Sequence, residues 1–141
     1  MTIKYKEVHG DFTVYLEEHP EDCYCMWRKN NHQYRVYSIE RIDVLPKLRG
    51  NGLARELLNS AIKYIKVECS QACIEISAQP DVDSEITKEI LVVFYKSLGF
   101  EIYQKYFSRI DLRLYLDASI KPNPLFDIAF RLNITMHSNG L

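Results

Sequence analysis

The feature that most constrains this chain is a change of hydrophobic period at residue 52. Before it, short segments alternate in the manner of strands: residues 3–8, 12–17 with Phe12, Val14 and Leu16 on one face, 23–28, and a long segment over 33–44. The turn Lys29-Asn30-Asn31-His32 joins the last two as a hairpin. From Gly52 onward, apolar residues fall at Leu53, Leu57, Leu58, Ala61, Ile62, Ile65 and Cys69, which is the stripe of an amphipathic helix. Residues 74–78 return to strand. A strand–helix–strand crossover joins parallel neighbours, so 33–44 and 74–78 are expected side by side in one sheet.

The rest of the chain completes the layout. Ser84 reads as an N-cap and Glu85 as a favourable first-turn acid. A second helix carries Ile86, Ile90, Val93, Phe94 and Leu98, and Gly99 ends it. Residues 100–104 and 109–116 form a last pair of strands. In the final one Ile110, Leu112, Leu114 and Leu116 alternate against Arg109, Asp111, Arg113 and Tyr115. Four strands, a helix, a strand, a helix and two strands make an α/β (α+β) domain with a mixed sheet.

Composition agrees with a single folded unit. The chain has 141 residues, 47% hydrophobic and 26% charged, with a formal net charge of −1. The longest apolar run, Ile90 to Tyr95, is far short of the ~20 residues a membrane span needs. Met-Thr-Ile-Lys-Tyr-Lys at the start has no apolar signal core, so a cytoplasmic protein is expected. Neither half is basic, which disfavours a nucleic-acid partner, and a membrane partner is not expected either. Cys23 with Cys25 and Cys69 with Cys73 do not have the usual spacing of a zinc site, and His9, His19, His32 and His137 are scattered. Reduced thiols and no metal are the expectation.

Chemistry concentrates at the junction Val44-Leu45-Pro46-Lys47-Leu48-Arg49-Gly50-Asn51-Gly52-Leu53-Ala54. Two glycines open onto a helix start, where unpaired N–H groups and the positive dipole end favour phosphate oxygens. Lys47 and Arg49 add positive charge there. A P-loop would need Gly-Lys-Ser/Thr and a dinucleotide fingerprint a third glycine, and both are missing. A strand-to-helix turn without a ligand fits that segment equally well.

About forty residues on comes Val93-Phe94-Tyr95-Lys96-Ser97-Leu98-Gly99-Phe100. The two segments, in this order and on these elements, resemble the GNAT superfamily of acyl-CoA-dependent N-acyltransferases. The resemblance runs over roughly residues 34–104. Val-x-Pro-x-x-Arg-Gly-x-Gly-Leu-Ala is similar to that family's pyrophosphate loop, with Lys47 where Gln or Arg is usual. Phe-Tyr-x-x-x-Gly-Phe is similar to the helix and strand beside its thioester. The stretch Ala78-x-Pro80-x-x-Asp83-Ser84, followed by an acidic helix and Phe94-Tyr95, is also similar to small acetyltransferases of phages and mobile elements, an anti-CRISPR enzyme among them.

The resemblance implies a mostly antiparallel sheet of about seven strands, with two parallel strands splayed at a site for acetyl-CoA. It implies that backbone groups around Ile42, Asp43 and Val44 pair with the pantetheine arm. It further implies that amides of Arg49, Gly50, Asn51, Gly52, Leu53 and Ala54 hold the pyrophosphate. Tyr95 matches the tyrosine that protonates the departing thiolate, though an aromatic on an apolar helix is also simply core. The acceptor amine needs a base or a water. Glu40 shares a strand face with Val36, Ile42 and Val44, an odd place for a charge unless it lines a cleft, and Glu75 sits mid-strand on the opposite wall. The acceptor would be a protein lysine, an N-terminus or a small cationic amine. Asp81, Asp83, Glu85 and Glu89 would attract such an amine, or serve only the helix start and solubility. A degenerate cofactor-binding or interaction module is the alternative.

The acyltransferase domain is expected over 1–116. Beyond it, Asn123-Pro124 would cap a short tail helix with Leu125, Ile128, Ala129 and Leu132 on one face and Phe126 and Phe130 on another. Two apolar faces on one short helix suggest packing on the domain or on a second subunit, hence a homodimer.

Overall fold

The computed structural model describes residues 1–121, and the tail helix expected after Asn123 lies outside them. One seven-stranded sheet runs in the order β1-β2-β3-β4-β5-β7-β6. Its strands are β1 (Ile3–Val8), β2 (Asp11–Leu16), β3 (Tyr24–Lys29), β4 (Val36–Asp43), β5 (Cys73–Ala78), β6 (Glu101–Lys105) and β7 (Ile110–Tyr115). Two helices join them: α1 (Leu53–Glu68) and α2 (Lys88–Ser97). All strand pairs are antiparallel except β4 with β5, the crossover pair that the change of period implies.

Registration puts the core on one face. Trp27 lies opposite Ile39, Tyr37 beside Ile74, Ile74 opposite Leu114, and Ile76 opposite Leu112. Both helices pack on this face, α1 over β2, β3 and β4, and α2 over β5, β6 and β7. The stripe Leu53, Leu57, Leu58, Ala61 and Ile65 is buried, as its spacing requires. Fully burying each of its leucine and isoleucine side chains is worth about 1.5–3 kcal/mol. The opposite face carries the polar alternates and four ion pairs: Arg28–Asp11, Arg41–Asp43, Arg109–Asp111 and Arg113–Glu75.

Three expectations are corrected. β4 begins at Val36 rather than residue 33, because Arg35 has a left-handed backbone (φ 61°) that ends the extended run. The second helix starts three residues later than Ser84 suggests. Thr87 Oγ1 accepts from Ile90 N at 3.2 Å and is the N-cap, while Ser84 Oγ accepts from Ile86 N in a local turn.

The third correction concerns Glu40. Met26 pairs with Arg41 but Trp27 pairs with Ile39, so Glu40 is the extra residue of a β-bulge. The bulge inverts the alternation along β4. Ile39 and Ile42 share the helix-side face with Trp27 and Cys25, so Glu40 keeps the face of Val36 and Ser38 but no longer shares one with Ile42 and Val44.

The end of α2 is closed by a Schellman arrangement. Phe100 N donates to Tyr95 O (3.2 Å), Gly99 N donates to Lys96 O (3.0 Å), and Gly99 sits at φ 100°. Phe100 is buried beside Tyr95 as a result. No described helix is long and apolar enough to cross a membrane.

Candidate active site

β4 and β5 form a fork. They pair only over Val36–Cys73, Tyr37–Ile74 and Ser38–Glu75. Beyond that point the facing edges of Ile39 to Asp43 and of Ile76 to Ala78 have no strand partner, although each strand is paired on its outer side. Unpaired backbone in the middle of a sheet is costly unless something else satisfies it.

A cavity of about 750 Å³ opens at the fork on the helix side. Ile42, Asp43, Val44, Arg49, Gly50, Gly52, Leu53 and Ala54 line it together with Glu40 and Tyr95; Lys47 and Asn51 do not. Gly50 (φ 82°) and Gly52 (φ 78°) are both left-handed, and a Cβ on either would meet nothing within 4 Å. Backbone conformation, not crowding, therefore calls for glycine at these two positions. Gly52 is the N-cap of α1 and supplies no side-chain bond, so the first-turn amides remain open. Arg49 Nε donates to Val44 O (2.9 Å) and staples the loop to the strand end. Asn51 Nδ2 donates to Leu48 O (3.3 Å), a contact within the turn.

Tyr95 is buried against Phe94 and Phe100. Burial pushes its hydroxyl up to about 12, and the nearby Cys25 thiol adds to the shift. Cys25 is itself buried, and burial pushes its thiol up. Cys23 Sγ accepts from Leu45 N (3.4 Å), so this thiol helps fix the strand exit. Among the described residues no group of three or more His, Cys, Asp or Glu could hold a metal ion.

Several lining residues were not apparent in the sequence. Arg55, in the first turn of α1, donates to Ser97 Oγ (2.9 Å) and lies over the Phe94 ring (5.4 Å), bridging the two helices. Nothing in the sequence pairs residues 55 and 97. Of the acids between 81 and 89, Asp81 lines this cavity and Asp83, Glu85 and Glu89 do not.

A second cavity, of about 250 Å³, opens on the opposite face. Its wall includes Ser38, Glu40, Glu75, Ser77, Tyr103, Asp111 and Arg113. Ile39, Glu40, Ile76 and Ser77 line both cavities, so the two meet at the fork. Glu75 accepts from Arg113 Nε (2.8 Å) and also from Arg113 Nη2, and this guanidinium lies over the Tyr103 ring. Burial works against the Arg113 charge, but bonds to Tyr115 and Glu75 outweigh it and raise its basicity. The sequence signal for this second cavity was the polar alternation Arg109, Asp111, Arg113, which marked a face but not a cleft.

Known proteins share this fold. The model of the GNAT acetyltransferase domain matches residues 9–102. An acyl-CoA N-acyltransferase from Pseudomonas aeruginosa superposes with a TM-score of 0.61 at 18% identity, over 76% of this chain and 69% of that one. The PaiA N-acetyltransferase from Thermoplasma acidophilum, solved with coenzyme A, gives 0.60 at 11%, over 75% and 61%. The anti-CRISPR protein AcrVA5 gives 0.54 at 20%, over 72% of this chain and 97% of that one. At such identities the likeness is one of fold. No curated protein sequence matches the chain. The matched segment spans the forked strands, the glycine turn and the Tyr95 helix, and by that match the chain belongs to the GNAT family of acetyltransferases.

Proposed function

We propose that this protein moves an acetyl group from acetyl-CoA to a primary amine by direct transfer. The observation that carries the reading is the fork: unpaired strand edges in mid-sheet, with a large cavity on one face and a small polar one on the other. The residues fit the cosubstrate. Open backbone at Ile42, Asp43 and Val44 suits an amide-bearing arm, and the uncapped start of α1 with Arg49 suits a pyrophosphate. Lys47 stands in the adjoining turn and adds charge at longer range.

Bound acetyl-CoA supplies an activated acyl carbon on a thiol leaving group. Glu40, at the junction of the two cavities, takes the proton that the acceptor ammonium must lose. Glu75 is the weaker candidate for base because Arg113 already occupies its carboxylate. Tyr95 meets the departing sulfur as a hydrogen-bond donor; a tyrosine hydroxyl is protonated throughout the neutral range, and burial pushes this one further up.

Two measurements test the reading. Coenzyme A at 100 times its Kd should stabilise the fold by about 2.7 kcal/mol. Acetyl-CoA with amine acceptors should release free thiol. No stabilisation together with no thiol release would overturn it.

A further inference from the structure

We infer that the acceptor is an aminoalkyl cation with no acid group beside the amine, entering through the small cavity with its ammonium at Glu40. The inference rests on the acyltransfer reading and narrows its substrate. The argument is a charge balance at the second cavity. Three carboxylates, Glu40, Glu75 and Asp111, line it against one guanidinium, Arg113. Arg113 is matched by Glu75. Asp111 is matched by Arg109 at 3.1 Å, also accepts from Ser77 Oγ at 2.7 Å, and Arg109 itself lies over the Tyr106 ring. Glu40 makes no ion pair with any described residue. Arg28 feels the Glu40 charge, but its guanidinium is held by Asp11.

One negative charge is thus left over at the point where the cavities meet. No unmatched cation lines the cavity to receive a carboxylate or phosphate on the acceptor. An ammonium is complementary to this balance, and an amine flanked by its own carboxylate is not. At about 250 Å³, a third of the larger cavity, the space is enough for an aminoalkyl chain. Both described helices pack on the other face, so among the described residues no helix closes this mouth. The aminoalkyl chain can therefore be a free diamine or a lysine side chain on a larger molecule.

The test uses the whole protein with three probes: 1,5-diaminopentane, an Nα-acetylated lysine peptide amide, and free alanine. Thiol release with acetyl-CoA gives kcat/KM, and calorimetry in the presence of coenzyme A gives diamine binding without turnover. The diamine, the peptide or both should exceed alanine by at least about tenfold, and Glu40→Gln should weaken diamine binding by about tenfold or more. Turnover of the peptide alone identifies a protein lysine as the source, and turnover of the diamine alone identifies a small amine. Alanine as the better acceptor, or diamine binding that ignores Glu40→Gln, overturns the inference and leaves acyl transfer standing. Loss of all thiol release defeats the acyltransfer reading. In that case the calorimetry still decides whether the cavity is a site for aminoalkyl cations, because saturable binding lost in Glu40→Gln supports it and absent binding overturns it.

Discussion

Helices α1 and α2 start in opposite ways. Thr87 closes the start of α2 with its own side chain, accepting from Ile90 N, and Glu89 follows in the first turn. Gly52 stands at the start of α1 in a left-handed conformation and offers no side-chain acceptor. A cap of the α2 kind is worth about 1 kcal/mol. The longer helix can do without it, because sixteen residues with five buried apolar side chains hold α1 in place. The shorter one, with Val92 and Tyr95 as its buried residues, is fixed at both ends by local bonds. Donors are thus left open at one helix start and closed at the other, and on the proposed function the open end is the one that would take the phosphates.

The strongest way to break this contrast is to give α1 a cap. Gly52→Asp puts a carboxylate on the open amides, and asparagine and aspartate tolerate a left-handed backbone better than most residues. Stability should change by no more than about 1 kcal/mol. Coenzyme A binding should weaken by about 100-fold, because the new charge opposes the phosphates and occupies their donors. Calorimetry decides it, and an unchanged Kd would show that the α1 start is not the phosphate site.

How much of this was legible in the sequence varies by region. The change of period at Gly52 gave the crossover, and with it the parallel pair β4–β5, since a helical stripe between strand patterns permits little else. The glycine turn and the Phe94-Tyr95 segment were legible because their residue types answer local backbone demands, as the left-handed Gly50, Gly52 and Gly99 bear out. The Glu40 bulge was not. One extra residue reverses the alternation, but it depends on pairing with β3 and leaves no local mark in residues 36–43. The second helix start was misplaced because Ser84 and Thr87 are both good caps, and only the backbone path decides between them. The Arg55–Ser97 bridge and the matching of Arg113 by Glu75 join residues about forty positions apart, so packing alone reveals them.

Equal in size, but on turnover rather than binding, is the effect expected at the other end of α2. If α1 lends its backbone and α2 its chemistry, Tyr95→Phe should lower kcat about 100-fold while coenzyme A affinity stays within a few-fold. Steady-state thiol release alongside calorimetry separates the two effects. A proportional loss of binding would mean that Tyr95 shapes the cavity rather than aiding the leaving group.

The same tyrosine makes the contrast visible in alkaline pH. Its folded pKa is raised to about 12 from 10.0. Below pH 10 both folded and unfolded chains keep the proton, so the group contributes no pH dependence. Between pH 10 and about 12 the unfolded chain loses the proton and the folded chain holds it, so stability falls as pH rises, by up to about 1.4 kcal/mol per pH unit from this group. Burial also raises Tyr37, which steepens the fall. Melting curves from pH 9 to 11.5 should show a shallower slope for Tyr95→Phe than for the natural sequence, and equal slopes would refute the shift.

The smallest effect is the converse of the first. Thr87→Ala uncaps α2 and leaves Ile90 N to water, at an exposed position where the chain need not rearrange. It should cost about 1 kcal/mol, read as a drop of a few degrees in Tm. Coenzyme A affinity should not move, because Thr87 lines neither cavity. Together with Gly52→Asp this makes a crossed pair: a cap removed that costs stability and spares the ligand, and a cap added that spares stability and costs the ligand. If Thr87→Ala weakened coenzyme A binding as strongly as it lowered Tm, the segment leading into α2, where Asp81, Ser84 and Ile86 do line the larger cavity, would have to count as part of the cofactor site. The division of labour between the two helix starts would then fail.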